Sequence, residues 1–221
     1  MTSVRGLLVM ILSFAMFACS RPAGAGELPK PEQDLPAPEN EGELRTAVLA
    51  GGCFWCVEAV FKQLEGVTEV VSGYAGDTKE NAVYEKVAAG KTKHAEAVHI
   101  TYDPSKVSYG QLLRVFFATH DPTTEDRQGP DWGPQYRSAV FYADEEQKRV
   151  SKTYIRQLEE AKVFDNPIVT TLEPLEEFFP AEKYHQNFVE ENPQNPYVRR
   201  WAVPKVEKVR EEFAEQVKEK E

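Results

Sequence analysis

The sequence predicts a mixed α/β fold (α+β), with a ferredoxin-like split β-α-β-β-α-β core and added C-terminal helices. Two kinds of segment support this prediction: short apolar or alternating runs, typical of strands, and longer runs with apolar residues at helical spacing. Their order along the chain is the split pattern of ferredoxin-like sheets. A chain of 221 residues, 41% of them hydrophobic, can bury one core of good size and still carry tails.

Six elements form the predicted core. The first strand, TAVLAGG, is apolar and ends in two glycines, as a buried strand does before a tight turn. The helix after it places Val57, Val60 and Phe61 at helical spacing, and Ser108 can cap the second helix. We expect these elements at 46–52, 53–64, 67–74, 95–102, 108–120 and 138–143, with a long polar loop between the second and third strands.

The C-terminal part adds further elements to this core. We expect a charged helix at 144–162, a strand near 168–172 and helical stretches around 182–191 and 206–220. The folded domain is assigned to 44–203 and a charged C-terminal helix to 204–221. Acidic and basic residues are mixed in that last helix, which predicts a solvated face rather than a binding site.

The first 43 residues predict an export signal followed by a tether. Arg5 precedes an apolar run at 6–17 that is too short to span a bilayer as a mature helix, which indicates a secretory signal. Two processing sites compete. Cleavage after 1–18 would leave Cys19 as a lipidated N-terminus, whereas cleavage after Ala25 would release a soluble protein. We favour the first.

Residues 19–43 are rich in proline and poor in core-forming residues, so they predict an extended tether. We therefore expect an exported protein that is anchored to a membrane through a lipid on Cys19 and faces the periplasm. A soluble periplasmic or secreted protein is the alternative.

Charge and cysteine content exclude two classes of protein. The chain has 36 acidic and 26 basic residues, and its net charge of −10 repels phosphate backbones, so we expect no nucleic-acid partner. Beyond Cys19 only Cys53 and Cys56 are present, and their short spacing excludes a disulfide-stapled framework. The two cysteines could therefore serve in redox chemistry, metal binding or packing.

We expect the protein to be a monomer.

The segment GGCFWCVEAVF, at 51–61, places Cys53 at a turn from strand to helix. A helix start favours the thiolate, which matters because an ordinary thiol is only about 3% ionised at pH 7. Phe54 and Trp55 follow directly and cannot both face the same core. At least one of them is expected beside the sulfur as an apolar wall, although both could be ordinary core residues.

This segment resembles the signature of A-type peptide methionine sulfoxide reductases. The resemblance continues with Tyr84 in NAVYEKVAAG, Glu96 in HAEAV, Asp131 and Tyr136 in DWGPQYRSAVFY, and YHQNF at 184–188. These blocks occur in the family's order and extend the similarity over about 45–192. The chain is therefore identified as a member of this family.

The resemblance implies the reduction of methionine S-sulfoxide, peptide-bound or free, and the repair of oxidised proteins. Cys53 is the implied nucleophile and Glu96 the implied acid. Tyr84 and Tyr136 would donate hydrogen bonds to the sulfoxide oxygen, and Asp131 would orient the active-site groups. Phe54 and Trp55, with Glu96 and Tyr136, would bind the substrate. The A-type and B-type enzymes each reduce one epimer of methionine sulfoxide, and the expected specificity for the S epimer comes from the resemblance alone.

Regeneration of the enzyme requires a thiol. Many family members carry it in a C-terminal tail, but no cysteine follows Cys56 in this chain. Cys56 is therefore expected to resolve the sulfenic acid on Cys53 as a disulfide, which a thioredoxin-like partner reduces, without a metal or other cofactor. The alternative is that Cys56 is a small buried residue and that an outside thiol reduces Cys53 directly.

Two other functions fit parts of the sequence. A thioredoxin-like disulfide oxidoreductase also has Cys-x-x-Cys at a helix start, but it needs no carboxylic acid or tyrosines around the thiol. A metal-binding module could use Cys53 and Cys56 with His94 and His99. Those histidines are five residues apart on one predicted strand and would point to opposite faces, which argues against a shared site.

Overall fold

A six-stranded sheet in the order β7-β6-β1-β3-β2-β8 forms the centre of the computed structural model, which describes residues 28–40 and 42–219. The neighbouring pairs β6-β1, β1-β3, β3-β2 and β2-β8 are antiparallel, and β6-β7 is parallel. The strands are β1 Arg45–Gly51, β2 Val67–Ala75, β3 Ala95–Tyr102, β4 Arg127–Gln128, β5 Asp131–Trp132, β6 Ser138–Tyr142, β7 Thr171–Pro174 and β8 Phe178–Pro180. β4 and β5 form a separate two-stranded hairpin.

The helices flank this sheet and include two short ones. They are α1 Phe54–Phe61, α2 Tyr84–Ala88, α3 Tyr109–Thr119, α4 Glu145–Glu160, α5 Phe188–Glu191 and α6 Val203–Glu212. A π-helical turn, Val198–Ala202, leads directly into α6. The described residues contain no helix that is both long and apolar enough to cross a membrane.

The prediction of a mixed α/β fold is confirmed, and the differences are local. The polar loop before β3 contains α2, and β8 adds an edge strand that its short sequence did not predict. The stretch 182–191 is divided into a 3-10 turn and α5 by Asn187, whose positive φ of 57° interrupts the helix. The C-terminal helix ends at Glu212 instead of continuing to 221, and Val217 forms a β-bridge with Leu64.

The core lies on the face of the sheet that α1 and α3 cover. Along β1 the side chains alternate, so Leu49 joins the large core with Phe61 and Phe116, while Val48 faces a smaller cluster with Phe141. Each of these side chains is at most 2% exposed. Burying a large apolar side chain stabilises the fold by roughly 1.5–3 kcal/mol, and α1 is therefore held firmly against the sheet.

The predicted tether does not stand free of the domain from Leu28 onward. Leu28 is buried, and its carbonyl accepts a hydrogen bond of 2.9 Å from Nε of Arg114 on α3. The carbonyl of Pro29 accepts one from the hydroxyl of Tyr154 on α4. Asp34 accepts hydrogen bonds from the backbone N–H of Gly110 and the hydroxyl of Ser108. The contacts of Leu28 and Pro29 use backbone carbonyls, which the side-chain composition of the segment did not indicate.

The predicted signal segment, the two processing sites and Cys19 lie outside the described residues. They stay predictions.

Candidate active site

Cys53 lies at the turn between β1 and α1, and two glycines make that turn. Gly52 has a φ of +92°, and a Cβ there would come within 2.4 Å of Gln128. A Cβ on Gly51 would come within 2.9 Å of the Phe116 ring. The turn thus excludes larger residues at both positions. The carbonyl of Cys53 accepts hydrogen bonds from the N–H groups of Cys56 and Val57 at 3.1 and 3.3 Å, which tightens the first turn of α1.

The sequence predicted that the helix start would favour the thiolate of Cys53, and the structure does not agree. Cys53 is only 8% exposed, and this burial raises the pKa of its thiol well above the ordinary value, with the hydrogen bond to Cys56 as the second cause. The same hydrogen bond is the main reason that the pKa of Cys56 is lowered. Loss of solvent therefore outweighs the helix start at Cys53, and of the two thiols Cys56 is the more readily ionised.

Glu96 projects from β3 to the start of α1. It is 3% exposed, and its Oε2 accepts a hydrogen bond of 3.1 Å from the backbone N–H of Phe54, the residue next to Cys53. Burial raises the pKa of this carboxyl to about 8, against the lowering effect of that hydrogen bond. Glu96 is consequently protonated at neutral pH and can donate a proton close to Cys53.

Tyr84 and Tyr136 reach the region of Cys53 and Glu96 from two different elements. Tyr84 begins α2, and Tyr136 ends the 3-10 turn Pro134–Tyr136 that precedes β6. Burial raises the pKa of both phenols, and Glu96 and Cys53, which are themselves ionised at the alkaline pH where phenols titrate, raise both further. The structure therefore brings the two tyrosines, Glu96 and Cys53 together from four separate segments, and both phenols keep their proton for hydrogen bonding.

The two aromatic residues after Cys53 have different surroundings. Phe54 is 1% exposed and packs into the main core. Trp55 is half-buried, and its ring stacks on Phe188 with centroids 3.7 Å apart and planes 8° apart. Its Nε1 donates a hydrogen bond of 3.2 Å to Nδ1 of His185. The YHQNF segment thus holds Trp55 in place, which the sequence did not reveal.

Glu58 holds the YHQNF segment in place. It is a buried residue that the sequence analysis did not identify as part of the site. Glu58 on α1 accepts hydrogen bonds from the backbone N–H of Asn187 at 2.9 Å and from the hydroxyl of Ser72 at 3.2 Å. Gln186 adds hydrogen bonds to both backbone groups of Ser72. Burial raises the pKa of Glu58. Its position one turn after Trp55 on α1 was the signal available in the sequence.

A cavity of about 120 Å³ lies beside the two thiols. Asp131 lines it, and its Oδ2 accepts a hydrogen bond of 2.5 Å from the hydroxyl of Tyr197. Tyr197 also lines this cavity beside both thiols. The residues lining the cavity are Cys53, Cys56, Gln128, Gly129, Pro130, Asp131, Tyr197, Trp201 and Lys205.

Sequence reasoning missed Tyr197, Trp201 and Lys205, and it assigned the region from 204 onward to a solvated helix. Their spacing of four residues, which places side chains on one helix face, was the signal that could have found them.

The alternative metal site is not assembled. Among residues 28–40 and 42–219, no group of three or more histidine, cysteine or acidic side chains is arranged to hold a metal ion. Nε2 of His94 instead donates a hydrogen bond of 3.0 Å to the carbonyl of Thr78. His99 packs against the ring of Phe178.

Several known proteins are similar to this chain. The family model "Peptide methionine sulfoxide reductase" matches residues 45–217. Peptide methionine sulfoxide reductase MsrA of Natronomonas pharaonis is 54% identical over 172 residues, which cover 78% of this chain and 97% of that protein. MsrA 2 of Synechocystis sp. is 44% identical over 215 residues, or 96% of this chain and 98% of that protein. Reduced Mxr1 from Saccharomyces cerevisiae has a similar structure, with a TM-score of 0.63 at 31% identity, covering 71% of this chain and 90% of that one.

Proposed function

Since the chain belongs to the peptide methionine sulfoxide reductase family and is a peptide-methionine (S)-S-oxide reductase, we propose how its residues divide the chemistry. One observation carries the proposal. The protonated carboxyl of Glu96 is hydrogen-bonded to the backbone N–H of Phe54, so an acid lies next to the nucleophile Cys53. Family membership also decides against the thioredoxin-like reading of the Cys-x-x-Cys motif.

In the first step Cys53 takes the oxygen from the sulfoxide. The S–O bond of the substrate breaks and an S–O bond to Cys53 forms, so methionine sulfoxide is reduced to methionine and Cys53 is oxidised to a sulfenic acid. Glu96 protonates the oxygen as it transfers and recovers the proton of the Cys53 thiol. Tyr84 and Tyr136 hold the oxygen by hydrogen bonds, which stabilises the charge that develops on it.

Recognition of the substrate follows from the aromatic residues at the site. The S-methyl group of methionine sulfoxide has no hydrogen-bonding ability, so an apolar wall can select it only by shape. Trp55, stacked on Phe188 and bonded to His185, supplies that wall, with Phe54 behind it. Peptide-bound and free methionine S-sulfoxide are both substrates, and the biological role is repair of oxidised proteins.

In the second step Cys56 regenerates Cys53. Cys56 releases its thiol proton, its sulfur attacks the sulfenic sulfur, an S–S bond forms and the S–O bond breaks. The oxygen leaves as hydroxide and takes up one proton, so one water is formed. The shared hydrogen bond between the two thiols and the tightened first turn of α1 support this pairing. An external thiol such as thioredoxin then reduces the disulfide, and no metal or prosthetic group takes part.

We also propose that the enzyme is exported, lipidated at Cys19 and active as a monomer. The apolar run at 6–17 and the Ala18-Cys19 pair support the anchor.

The test of the proposed reaction uses separated S and R epimers of a peptide methionine sulfoxide with dithiothreitol as reductant. The wild-type protein should reduce the S epimer only. Cys53→Ser should abolish this activity with an unchanged circular dichroism spectrum, because a serine hydroxyl is not ionised at neutral pH and cannot replace the thiol. Substantial activity in Cys53→Ser, or equal use of the R epimer, would contradict the proposal.

A further inference from the structure

The C-terminal helical region presents one stripe of side chains to the two thiols. Tyr197, Trp201 and Lys205 are four residues apart and all line the cavity that also contains Cys53 and Cys56. The π-helical turn Val198–Ala202 lies between the first and last of them, and such turns are frequent at functional sites. Between the stripe's members, Val198 and Ala202 pack directly against the cysteines. These contacts hold the three side chains of the stripe beside the thiols.

The charges around Cys56 are unevenly distributed. Asp131 acts on Cys56 from β5, and Tyr197 lies beside the thiol in the same cavity. Among the described residues that line the cavity, Lys205 is the only cation. A carboxylate disfavours a neighbouring thiolate and an ammonium group favours it, so Lys205 is the group that compensates for Asp131.

We infer that Lys205 is a positioning residue of the regeneration step, whose ammonium group stabilises the Cys56 thiolate that attacks the sulfenic acid on Cys53. This inference rests on the proposed function. The thiolate donates its electron pair to the sulfenic sulfur, the S–S bond forms and the S–O bond breaks. The oxygen leaves as hydroxide and takes a proton from the surrounding solvent or a neighbouring acid, so one water is released for each disulfide.

The ionisation of Cys56 agrees with this geometry. Its pKa is lowered, first by the hydrogen bond from Cys53 and then, against burial, by the charge of Lys205. Once Cys53 is a sulfenic acid it no longer offers its thiol proton to Cys56. The contribution of Lys205 then becomes larger at the moment when the thiolate must react.

The experiment measures the two steps separately. Wild-type enzyme, Lys205→Met and Lys205→Arg are each mixed with one equivalent of a peptide methionine S-sulfoxide, without reductant, between pH 6 and 9. Methionine reports the first step. Mass spectrometry with a sulfenic-acid trap such as dimedone reports the second, as the ratio of trapped Cys53 to Cys53–Cys56 disulfide. Arg199→Gln is the matched control, because it removes one exposed positive charge from the same segment.

We expect Lys205→Met to form one methionine per enzyme at the wild-type rate but to form the disulfide on the order of tenfold more slowly at pH 7. The defect should shrink as the pH rises, since the thiol then ionises without help. Lys205→Arg should restore the rate and Arg199→Gln should not change it. If Lys205→Met does not fold, Lys205→Gln serves the same purpose.

Three results would overturn the inference. The first is a wild-type rate of disulfide formation in Lys205→Met, the second is a defect that does not depend on pH, and the third is an equal defect in Arg199→Gln. Failure of the wild-type enzyme to form the first methionine would instead contradict the proposed function. The two failures are therefore distinguishable.

Discussion

Replacing Glu96 with glutamine should reduce activity and increase stability at neutral pH, because both effects come from one buried carboxyl. Glutamine keeps the size of the side chain and an oxygen that can accept the N–H of Phe54, but it has no acidic proton. General acids typically contribute 10²–10⁴ to a rate, so methionine formation in a single turnover should slow by at least about 10²-fold.

The magnitude of the stability effect follows from the pKa of Glu96. Its pKa is raised from 4.5 to about 8 in the fold, so the unfolded chain releases this proton more readily and the stability falls as the pH rises between those values. At about 1.36 kcal/mol per pKa unit, keeping Glu96 protonated costs the fold about 3 kcal/mol at pH 7 and about 1 kcal/mol at pH 5. The wild-type protein should lose about 2 kcal/mol over this interval through this group, and Glu96→Gln should not.

Urea unfolding of both proteins at pH 5 and pH 7 measures this difference. The control is Glu177→Gln, which changes an exposed carboxylate next to β8 and should retain the wild-type pH dependence. If the free energy of unfolding of Glu96→Gln falls with pH as much as that of the wild type, Glu96 is not held protonated and the assignment of its role as an acid is wrong.

Three further substitutions test other parts of the molecule. Cys56→Ser should release one methionine per enzyme and then stop turning over with thioredoxin, while small thiols restore turnover; normal turnover with thioredoxin would make this a one-cysteine enzyme. Asp34→Ala should lower the free energy of unfolding by about 1 kcal/mol, because Asp34 accepts a hydrogen bond from the start of α3. Urea unfolding measures this change, and an unchanged free energy would mean that the segment from Leu28 is not docked on the domain. Cys19→Ala should release the protein from membranes or leave an unprocessed precursor in cell fractionation, whereas a processed and fully attached variant would refute the anchor.

The parts of the fold with a strong local pattern could be predicted from the sequence. The double glycine before Cys53 indicated a turn that excludes larger residues, and the apolar spacing after it indicated α1. The burial of Glu96 could not be inferred from its strand alone. Both faces of β3 are covered, so the alternation of exposed and buried residues is lost there.

Other parts depend on contacts that side-chain types do not encode. The segment from Leu28 is held in part through its backbone carbonyls, which every residue has. The stripe with Tyr197 and Lys205 begins after two prolines and passes through a π-helical turn, so its helical periodicity is irregular in the sequence. Asn187 adopts a positive φ that non-glycine residues rarely adopt, and this ends a helix that the sequence predicted to continue.

The docked segment at Leu28 would limit how far a lipid-anchored enzyme could work from a membrane. If the chain is anchored at Cys19, only the residues from 19 to 28 connect the lipid to the domain, and a fully extended chain of that length spans at most about 30 Å. A free tether up to residue 44 would have allowed about 80 Å. An anchored enzyme with this short connection would repair oxidised methionines in proteins at the membrane surface, and proteins in the bulk of the compartment would have to diffuse to it.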